Sequence, residues 1–465
     1  MPMTLFRIRW TCPLLAAVLA LGCGNKPATK TEESKAPAEQ SAEAAPPKEE
    51  QAVNEEAAPA APASESPAPA QKEEPKAEST NADAKEEEID VAAVYSLPAD
   101  DGKGEKLTVE EIKAFLADPK NLEPIKLKTP LGHANVQEVF AGDNSISRAK
   151  AELGRMLYFD PRLSEDSTVS CASCHDPATG WAQHTPVAAG IRGQKGGRNS
   201  PTVLNRAFGK VQFWDGRAAT LEDQALGPIQ NPIEMGFNIP DLVKRLKESE
   251  GYRLMFEKTY GDITPENIAK AIATFERTVI SGPNPNDYYT QAEAAMKLTP
   301  EEIEDLEPED KARVERVLAE MKAHPMSEAA IRGRELYFKK AECSLCHVGT
   351  NLTDELFHNI GVGMDKEKPD IGRHEVTKKD EDKGAFKTPS LRNIVAHPPY
   401  MHDGSEATLI GVVEFYDKGG VPNPQLSKRI RKLNLTKQEK EDLVAFLTEG
   451  LTGPMPDIKR PKLPQ

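Results

Sequence analysis

The chain has few cysteines, the residues that cross-link small secreted domains, and it also has few tryptophans and histidines. It contains six cysteines, three tryptophans and nine histidines in 465 residues. Four of the cysteines form two CxxCH motifs, and the other two, Cys12 and Cys23, lie near the N-terminus. No cysteine pair is left over for a disulfide framework, so the fold must depend on apolar burial and on whatever the two motifs bind.

The sequence also lacks an excess of positive charge and any long apolar run. A net charge of -15 argues against nucleic acid as a partner, because phosphate backbones attract basic surfaces. No stretch predicts a large sheet. A chain of 465 residues is too long for one ordinary core, so we expect two folded units and a tail.

Residues 1–22 are predicted to be a bacterial export signal. Two arginines precede an apolar run that is far too short to span a bilayer. The small residues before Cys23 resemble a lipobox, although Ala20 stands where lipoprotein signals usually have leucine. We therefore expect a diacylated Cys23 that tethers the protein to a membrane, with the folded part in the periplasm. An ordinary cleaved signal is the alternative.

The next segment is too poor in apolar residues to fold. Residues 25–91 are almost entirely Ala, Glu, Pro, Lys and Ser, so a disordered tether is predicted over 23–95. Order is predicted to begin near Leu107. There Thr108 can cap a short helix, and Glu111 can return the hydrogen bond.

Two motifs of the form CxxCH organise the rest of the chain: Cys171–His175 and Cys343–His347. Two thiols three residues apart can form thioether bonds to the vinyl groups of one haem, and the following histidine can bind its iron. A single CxxC is also compatible with a disulfide, a redox pair or half a zinc site. Two such motifs behind an export signal favour two covalently bound haem c groups. The predicted attachment residues are Cys171, Cys174, Cys343 and Cys346, and the predicted iron ligands are His175 and His347.

The residues around the motifs are repeated. Residues 151–159 and 330–338 have apolar positions at helical spacing and precede the two motifs. Two further matches follow, in which residues 198–202 align with 386–390 and residues 213–221 align with 401–409. The repeat indicates duplication of one helical domain. The predicted fold class is mainly α, with two tandem c-type cytochrome domains behind a disordered N-terminal tether.

This repeat divides the folded part of the chain. We predict an N-terminal half over residues 96–285, a helical connection over 286–328 and a C-terminal half over 329–465. Amphipathic helices are predicted over 239–254, 265–279 and 437–447, and the charged run 299–324 is predicted to be an exposed helical segment. The Pro-rich C-terminal tail is expected to pack back over the body.

From residue 145 to residue 464 the chain resembles the bacterial di-haem cytochrome c peroxidases and their relative, the di-haem oxidase MauG. The motifs that carry this resemblance are Leu157–Asp160, Ser170–His175, Arg198–Thr202 and Phe213–Arg217. In that family the N-terminal haem reacts with hydrogen peroxide, and the C-terminal haem stores and delivers electrons. The resemblance implies a periplasmic peroxidase that reduces hydrogen peroxide, with a small cytochrome c or a cupredoxin as electron donor.

The resemblance also assigns residues on the peroxide side of the first haem. Glu234 matches the family's catalytic glutamate, whose task is to move a proton as the O–O bond breaks, and Gln224 matches a glutamine of the same pocket. Trp214 matches the tryptophan that carries electrons between the haems. Many family members place a second histidine where this chain has Ile191, so the first haem is expected to be open to peroxide. His184 is the alternative ligand.

The second haem and an interhaem ion are assigned in the same way. Tyr416 occupies the position of the second axial ligand, as in MauG-type proteins, and Met401 is the competing candidate. Asn199 and the carbonyl groups of His397 and Pro399 match the ligands of a calcium ion, which prefers such oxygen donors. The sequence leaves a homodimer open.

Two other functions remain open at this point. A MauG-like enzyme would oxidise a side chain of a protein substrate, which Tyr416 and Ile191 favour. A non-enzymatic electron carrier would have two six-coordinate haems and would not need Glu234.

Overall fold

Helices dominate the structure, which confirms the predicted mainly α fold class. The computed structural model describes residues 88–140 and 143–465. The helices of the N-terminal half and of the segment that follows it are α1 (Val109–Ala117), α2 (Arg148–Phe159), α3 (Cys171–Cys174), α4 (Leu221–Gln230), α5 (Ile239–Glu248), α6 (Glu250–Thr259), α7 (Pro265–Glu276), α8 (Pro285–Ala292), α9 (Pro300–Glu304) and α10 (Pro308–Ala323).

The C-terminal half contains fewer helices and one of the two strand pairs. Its helices are α11 (Glu328–Phe338), α12 (His374–Thr377), α13 (Leu409–Asp417) and α14 (Lys437–Ala445), and a π-helical turn over Phe446–Gly450 extends α14. Strands β1 (Glu88–Ile89) and β2 (Lys126–Leu127) pair in parallel, whereas β3 (Phe357–Asn359) and β4 (Ala385–Lys387) pair antiparallel. Phe357 lies opposite Lys387 in the second pair. No larger sheet occurs in the described residues, as expected.

Local capping signals decide where several helices begin. Thr108 caps α1 by accepting from the backbone N–H of Glu111, and the Glu111 carboxylate accepts from Thr108, so the predicted capping box is confirmed. The prediction of one helix over 239–254 is wrong. Ser249 ends α5 and caps α6 through Tyr252, because a serine hydroxyl competes with the helix for backbone N–H groups.

The two halves repeat the same helix packing. Helix α2 packs against α7 in the first half, and α11 packs against α14 in the second. Each crossing has a glycine at its closest approach, because a Cβ at Gly154 would lie 2.0 Å from Ala271 O and a Cβ at Gly333 would lie 1.9 Å from Asp442 O. Helices α4 and α13 complete the two copies by packing on α7 and α14. Each half has its own apolar cluster.

Both ends of the described region from residue 88 onward pack against the first half. Val94 is fully buried and Leu97 is 8% exposed, so assignment of residues 88–95 to the disordered tether is wrong. These few apolar side chains pack into preformed clusters, which composition alone does not reveal. The C-terminal tail lies over the same region, where Leu107 N–H donates to Leu463 O at 2.9 Å, as predicted. The rest of the predicted tether, the export signal and Cys23 lie outside the described residues.

The described chain belongs to one compact unit, so the boundaries predicted within it stay predictions. The segment 299–324 forms α9 and α10, which confirms its helical prediction. None of the described helices has the length and apolar character needed to cross a bilayer.

Candidate functional site

A large cavity lies between the two halves of the described chain. Its volume is about 700 Å³, and it is lined by both CxxCH motifs. The four cysteines of the motifs all line this cavity. The predicted haem-attachment residues are thus brought together from opposite halves of the chain.

The cysteines and histidines fit covalent haem. In the first motif, one helical turn, α3, presents Cys171 and Cys174 to the cavity. His175 Nδ1 lies 2.9 Å from Pro201 O, so it donates there as the Nδ1–H tautomer and leaves Nε2 free to bind iron. Burial lowers the pKa of His175 to about 4, which keeps the imidazole neutral as a ligand requires.

The second motif has the same arrangement. His347 Nδ1 lies 3.2 Å from Pro389 O, and burial lowers the pKa of His347 to about 4. In each half a buried tyrosine also donates to the histidine's carbonyl, Tyr158 to His175 O at 2.8 Å and Tyr337 to His347 O. The hydrogen bonds to Pro201 O and Pro389 O therefore fix the orientation of the two imidazole rings from within the protein.

On one side of the first motif the cavity is lined by Glu234 and Gln224, the two residues assigned to peroxide chemistry. Glu234 follows α4 in a tight loop, and Asn231 Nδ2 donates to its Oε1 at 3.0 Å. Burial raises the pKa of Glu234, while the Arg217 charge and the Asn231 hydrogen bond lower it. A carboxyl with these opposing neighbours can both accept and release a proton.

Ile191 does not face the cavity. Its side chain is fully buried in the first apolar cluster, and its N–H donates to Glu234 O at 2.8 Å. The adjacent Gly190 permits this contact, because a Cβ there would lie 2.1 Å from Ile233 O. The alternative ligand, His184, is exposed, does not line the cavity, and has Nε2 3.0 Å from Ala396 O. Ile191 therefore supports the backbone that carries Glu234.

Trp214 lies where the two halves meet. It lines the cavity, and its indole N–H donates to Asn199 O at 2.9 Å. Its own carbonyl accepts from the N–H of Lys387 in the other half at 2.8 Å. Trp214 is thus held by both halves of the chain, through its indole N–H in the first half and through its backbone carbonyl from the second.

Both candidates for the second axial ligand line the cavity. Tyr416 projects from α13, and burial raises the pKa of its hydroxyl. Met401 lies in a turn with φ of 70°. The neighbouring His402 stacks on Phe386 with ring centroids 3.6 Å apart, which occupies its ring face.

The three residues assigned to calcium also line the cavity. Asn199 is 7% exposed, and its Nδ2 donates to Thr185 O at 3.1 Å, which leaves the amide oxygen as the metal donor. His397 and Pro399 line the cavity beside it. The donor types suit calcium, which prefers amide and carbonyl oxygens.

The cavity-lining groups that were not identified from the sequence include Asn231, Arg206, Glu276 and Lys387. Glu276 is 5% exposed, its Oε2 has no hydrogen-bond partner, and burial raises its pKa to about 8. For Lys387 a signal exists, because the internal repeat aligns it with Asn199. For Arg206 and Glu276 we find no such signal, since their burial depends on packing between distant segments.

Known proteins resemble this chain over most of the described region. A family model described as di-haem cytochrome c peroxidase matches residues 148–295. The methylamine utilization protein MauG of Methylorubrum extorquens is 36% identical over 326 residues, which cover 69% of this chain and 83% of that protein. The cytochrome c551 peroxidase of Pseudomonas aeruginosa is 35% identical, and the match covers 69% of this chain and 83% of that protein.

A solved structure is similar as well. It is the crystal structure of a MauG-like protein associated with microbial copper homeostasis, with 32% identity and a TM-score of 0.55. The match covers 72% of this chain and 95% of that chain. Since peroxidases and MauG are matched about equally well, sequence identity does not separate the two groups.

Proposed function

Because the chain belongs to the family of di-haem cytochrome c peroxidases and MauG, we propose that it reduces hydrogen peroxide to water with electrons from a small redox protein. The family is one of oxidoreductases with two haem c groups. One observation carries the proposal: Glu234 and Gln224 line the same cavity as His175. The haem attached at Cys171 and Cys174 supplies an iron that exchanges electrons with peroxide.

Glu234 is the proton-transfer residue of this proposal. In its carboxylate form it takes a proton from one peroxide oxygen, and it returns the proton to the oxygen that leaves as water. Asn231 holds Oε1 in place, and the Ile191 N–H holds the backbone carbonyl of Glu234. Gln224 offers an amide that can orient peroxide beside Glu234.

Trp214 is the proposed electron route between the two haem sites. Its ring is held by Asn199 O, and the same asparagine is proposed to bind calcium with the carbonyl oxygens of His397 and Pro399. Tyr416 is proposed to hold the second haem together with His347, with Met401 as the alternative. An anionic oxygen ligand would lower the reduction potential of that site.

The proposed setting is the periplasm, where a lipidated Cys23 tethers the enzyme to a membrane. The extended composition of the tether would let the anchored enzyme reach a soluble cytochrome c or cupredoxin. An ordinary cleaved signal and a homodimer remain alternatives of this part of the proposal.

A second candidate function is oxidation of a protein side chain, as in MauG. Tyr416 favours it, because the tyrosine lines the cavity of the second haem site and has the position of the MauG-type ligand. In that case peroxide would still be consumed, but a protein side chain would replace the redox protein as the electron source.

The test begins with the ferric spectrum of the two-haem protein. We expect one high-spin and one low-spin haem, and catalytic oxidation of a reduced cytochrome c or cupredoxin when peroxide is added. Peroxide consumption without turnover of either donor would favour the MauG-like function. Two low-spin haems that do not react with peroxide would overturn both and favour an electron carrier.

The role of Glu234 is tested by Glu234→Gln. We expect turnover to fall by about 10²–10⁴-fold with both haems retained, because the amide cannot take the proton. The matched control is Glu165→Gln, since Glu165 is 48% exposed and pairs with Arg192 at the protein surface. Unchanged turnover of Glu234→Gln would contradict the assignment.

A further inference from the structure

Lys387 is a buried cation whose task the proposed function leaves open. It ends β4, lines the cavity between the haem sites, and its side chain is 8% exposed. Its Nζ lies 3.5 Å from Thr388 O and 3.8 Å from Glu355 Oε2. Both contacts are longer than the usual charge-assisted hydrogen bond, so the ammonium is only weakly compensated.

The neighbouring carboxylate is already engaged by another cation. Arg206 from the first half donates to Glu355 Oε1 at 3.0 Å and to Oε2 at 3.4 Å. The N–H of Lys210 adds a third contact at 3.3 Å. Arg206, whose side chain is 13% exposed, and the buried Lys387 thus share one buried carboxylate. Asp354, which precedes Glu355 in the chain, is the other acidic group that acts on Lys387.

The internal repeat identifies the residue of the first half that corresponds to Lys387. Lys387 aligns with Asn199, and Trp214 aligns with His402. The structure keeps both relations, because Lys387 N–H donates to Trp214 O at 2.8 Å and Asn199 N–H donates to His402 O at 2.7 Å. Where one half has the asparagine proposed to hold a calcium ion, the other half has an ammonium group. With the proposed calcium ion bound at Asn199, the two aligned positions would each hold a cation at the cavity wall.

We propose that Lys387 is a positioning residue that couples electron arrival at the haem pair to binding of a proton. The inference rests on the proposed function, which requires electrons to pass Trp214. An electron that arrives from the external one-electron donor adds negative charge near the ammonium position. In a poorly solvated cavity such a charge favours protonation of Lys387 by solvent, and a protonated Lys387 favours reduction in return.

The neighbours of Lys387 place this proton exchange near neutral pH. Burial and the Arg206 charge lower the pKa of Lys387 to about 7, while Glu355 and Asp354 act to raise it. Below pH 7 the ammonium is already formed, so reduction takes up no proton. Above pH 7 the amine is neutral before reduction, so one-electron reduction of one haem is accompanied by binding of one proton at Lys387, and the potential falls as pH rises.

The experiment is a spectroelectrochemical titration of the two-haem protein without peroxide, from below to above pH 7. In the wild type we expect the reduction equilibrium of one haem to weaken above pH 7 by up to about tenfold per pH unit, or about 59 mV for one electron. Lys387→Met should remove this pH dependence and lower the potential measured below pH 7. Lys387→Arg should also remove it, but should keep the higher potential, because a guanidinium stays charged.

The control is Lys210→Met, which deletes the same charge from an exposed side chain near the same carboxylate. It should keep the wild-type pH dependence. A flat wild-type profile, or an unchanged slope in Lys387→Met, would overturn the proposal. If Lys387→Met does not retain two haems, Lys387→Arg alone decides. A potential that still falls with pH in Lys387→Arg would also contradict the proposal. Peroxide turnover of the wild type is measured separately, so failure of the proposed function leaves this result readable.

Discussion

At the residue scale, the proton affinity of Glu234 is a balance between burial and two polar neighbours. Burial raises its pKa, and Arg217 and Asn231 pull it down. The carboxylate form is needed to take a proton from peroxide. Turnover should therefore fall as pH decreases through the pKa of Glu234.

This balance predicts the effect of Asn231→Asp. The substitution removes the hydrogen bond to Glu234 Oε1 and adds a negative charge 3.0 Å away, and both changes raise the pKa of Glu234. The acid limb of the profile of kcat/KM against pH should move to higher pH. The control is Gln230→Glu, which adds the same charge on an exposed neighbour that bonds to Leu226 O. An acid limb at the wild-type pH in Asn231→Asp would contradict the role of Glu234 as proton acceptor.

Some residues of the candidate site could be predicted from the sequence, and others could not. Glu234, Gln224 and Trp214 stand in motifs that a family shares, and the structure places all three at the cavity wall. Ile191 stands at the aligned position of a second histidine, and its side chain packs in the core under the Glu234 loop. Its alignment gave its position along the chain but could not give the direction of its side chain, which depends on contacts with Gly190 and Gly236.

At the scale of elements, the two halves depend on close helix crossings at glycine. The crossing of α2 and α7 leaves no space for a side chain at Gly154. The periodicity of residues 151–159 predicted the helix. It did not predict the crossing partner, because α7 lies more than a hundred residues further along the chain.

A pair of identical substitutions tests this packing. Gly154→Ala should lower the free energy of unfolding by about 1–3 kcal/mol, because the new methyl group would overlap Ala271 O. Gly227→Ala in α4 should instead change it by less than about 1 kcal/mol, because the helix preference of alanine is opposed by crowding of its Cβ against the following Pro228. The Cβ at this exposed position would make only an ordinary contact, 3.4 Å from Phe213. Denaturant unfolding measures both values, and a neutral Gly154→Ala would contradict the close crossing.

At the scale of the whole molecule, ion pairs between the halves enclose the cavity. Arg198 bonds to Asp215 in its own half and to Asp370 in the other, with each contact at 2.6 Å. Arg206 reaches Glu355 across the same boundary. The repeat predicted two similar domains. It could not predict these contacts, because they join residues of the two copies that are not equivalent in the repeat.

A further buried pair joins all three predicted segments of the folded chain. Arg392 in the C-terminal half donates to both oxygens of Asp287 in α8 at 2.8 Å, and also to Gly132 O in the N-terminal half. The two side chains are 2% and 7% exposed. The pair thus fixes the connection to both halves at one point.

Removal of one partner should therefore destabilise the whole unit. Arg392→Met leaves the Asp287 carboxylate buried without its counter-charge, so we expect the free energy of unfolding to fall by about 3–5 kcal/mol. The double variant Arg392→Met with Asp287→Asn should recover part of this loss, because no uncompensated charge remains. Lys339→Met is the control, since its pair with Glu335 is 73% and 62% exposed and should contribute less than about 1 kcal/mol. Denaturant unfolding of the two-haem protein measures all three, and an Arg392→Met variant as stable as the control would show that this pair does not hold the halves together.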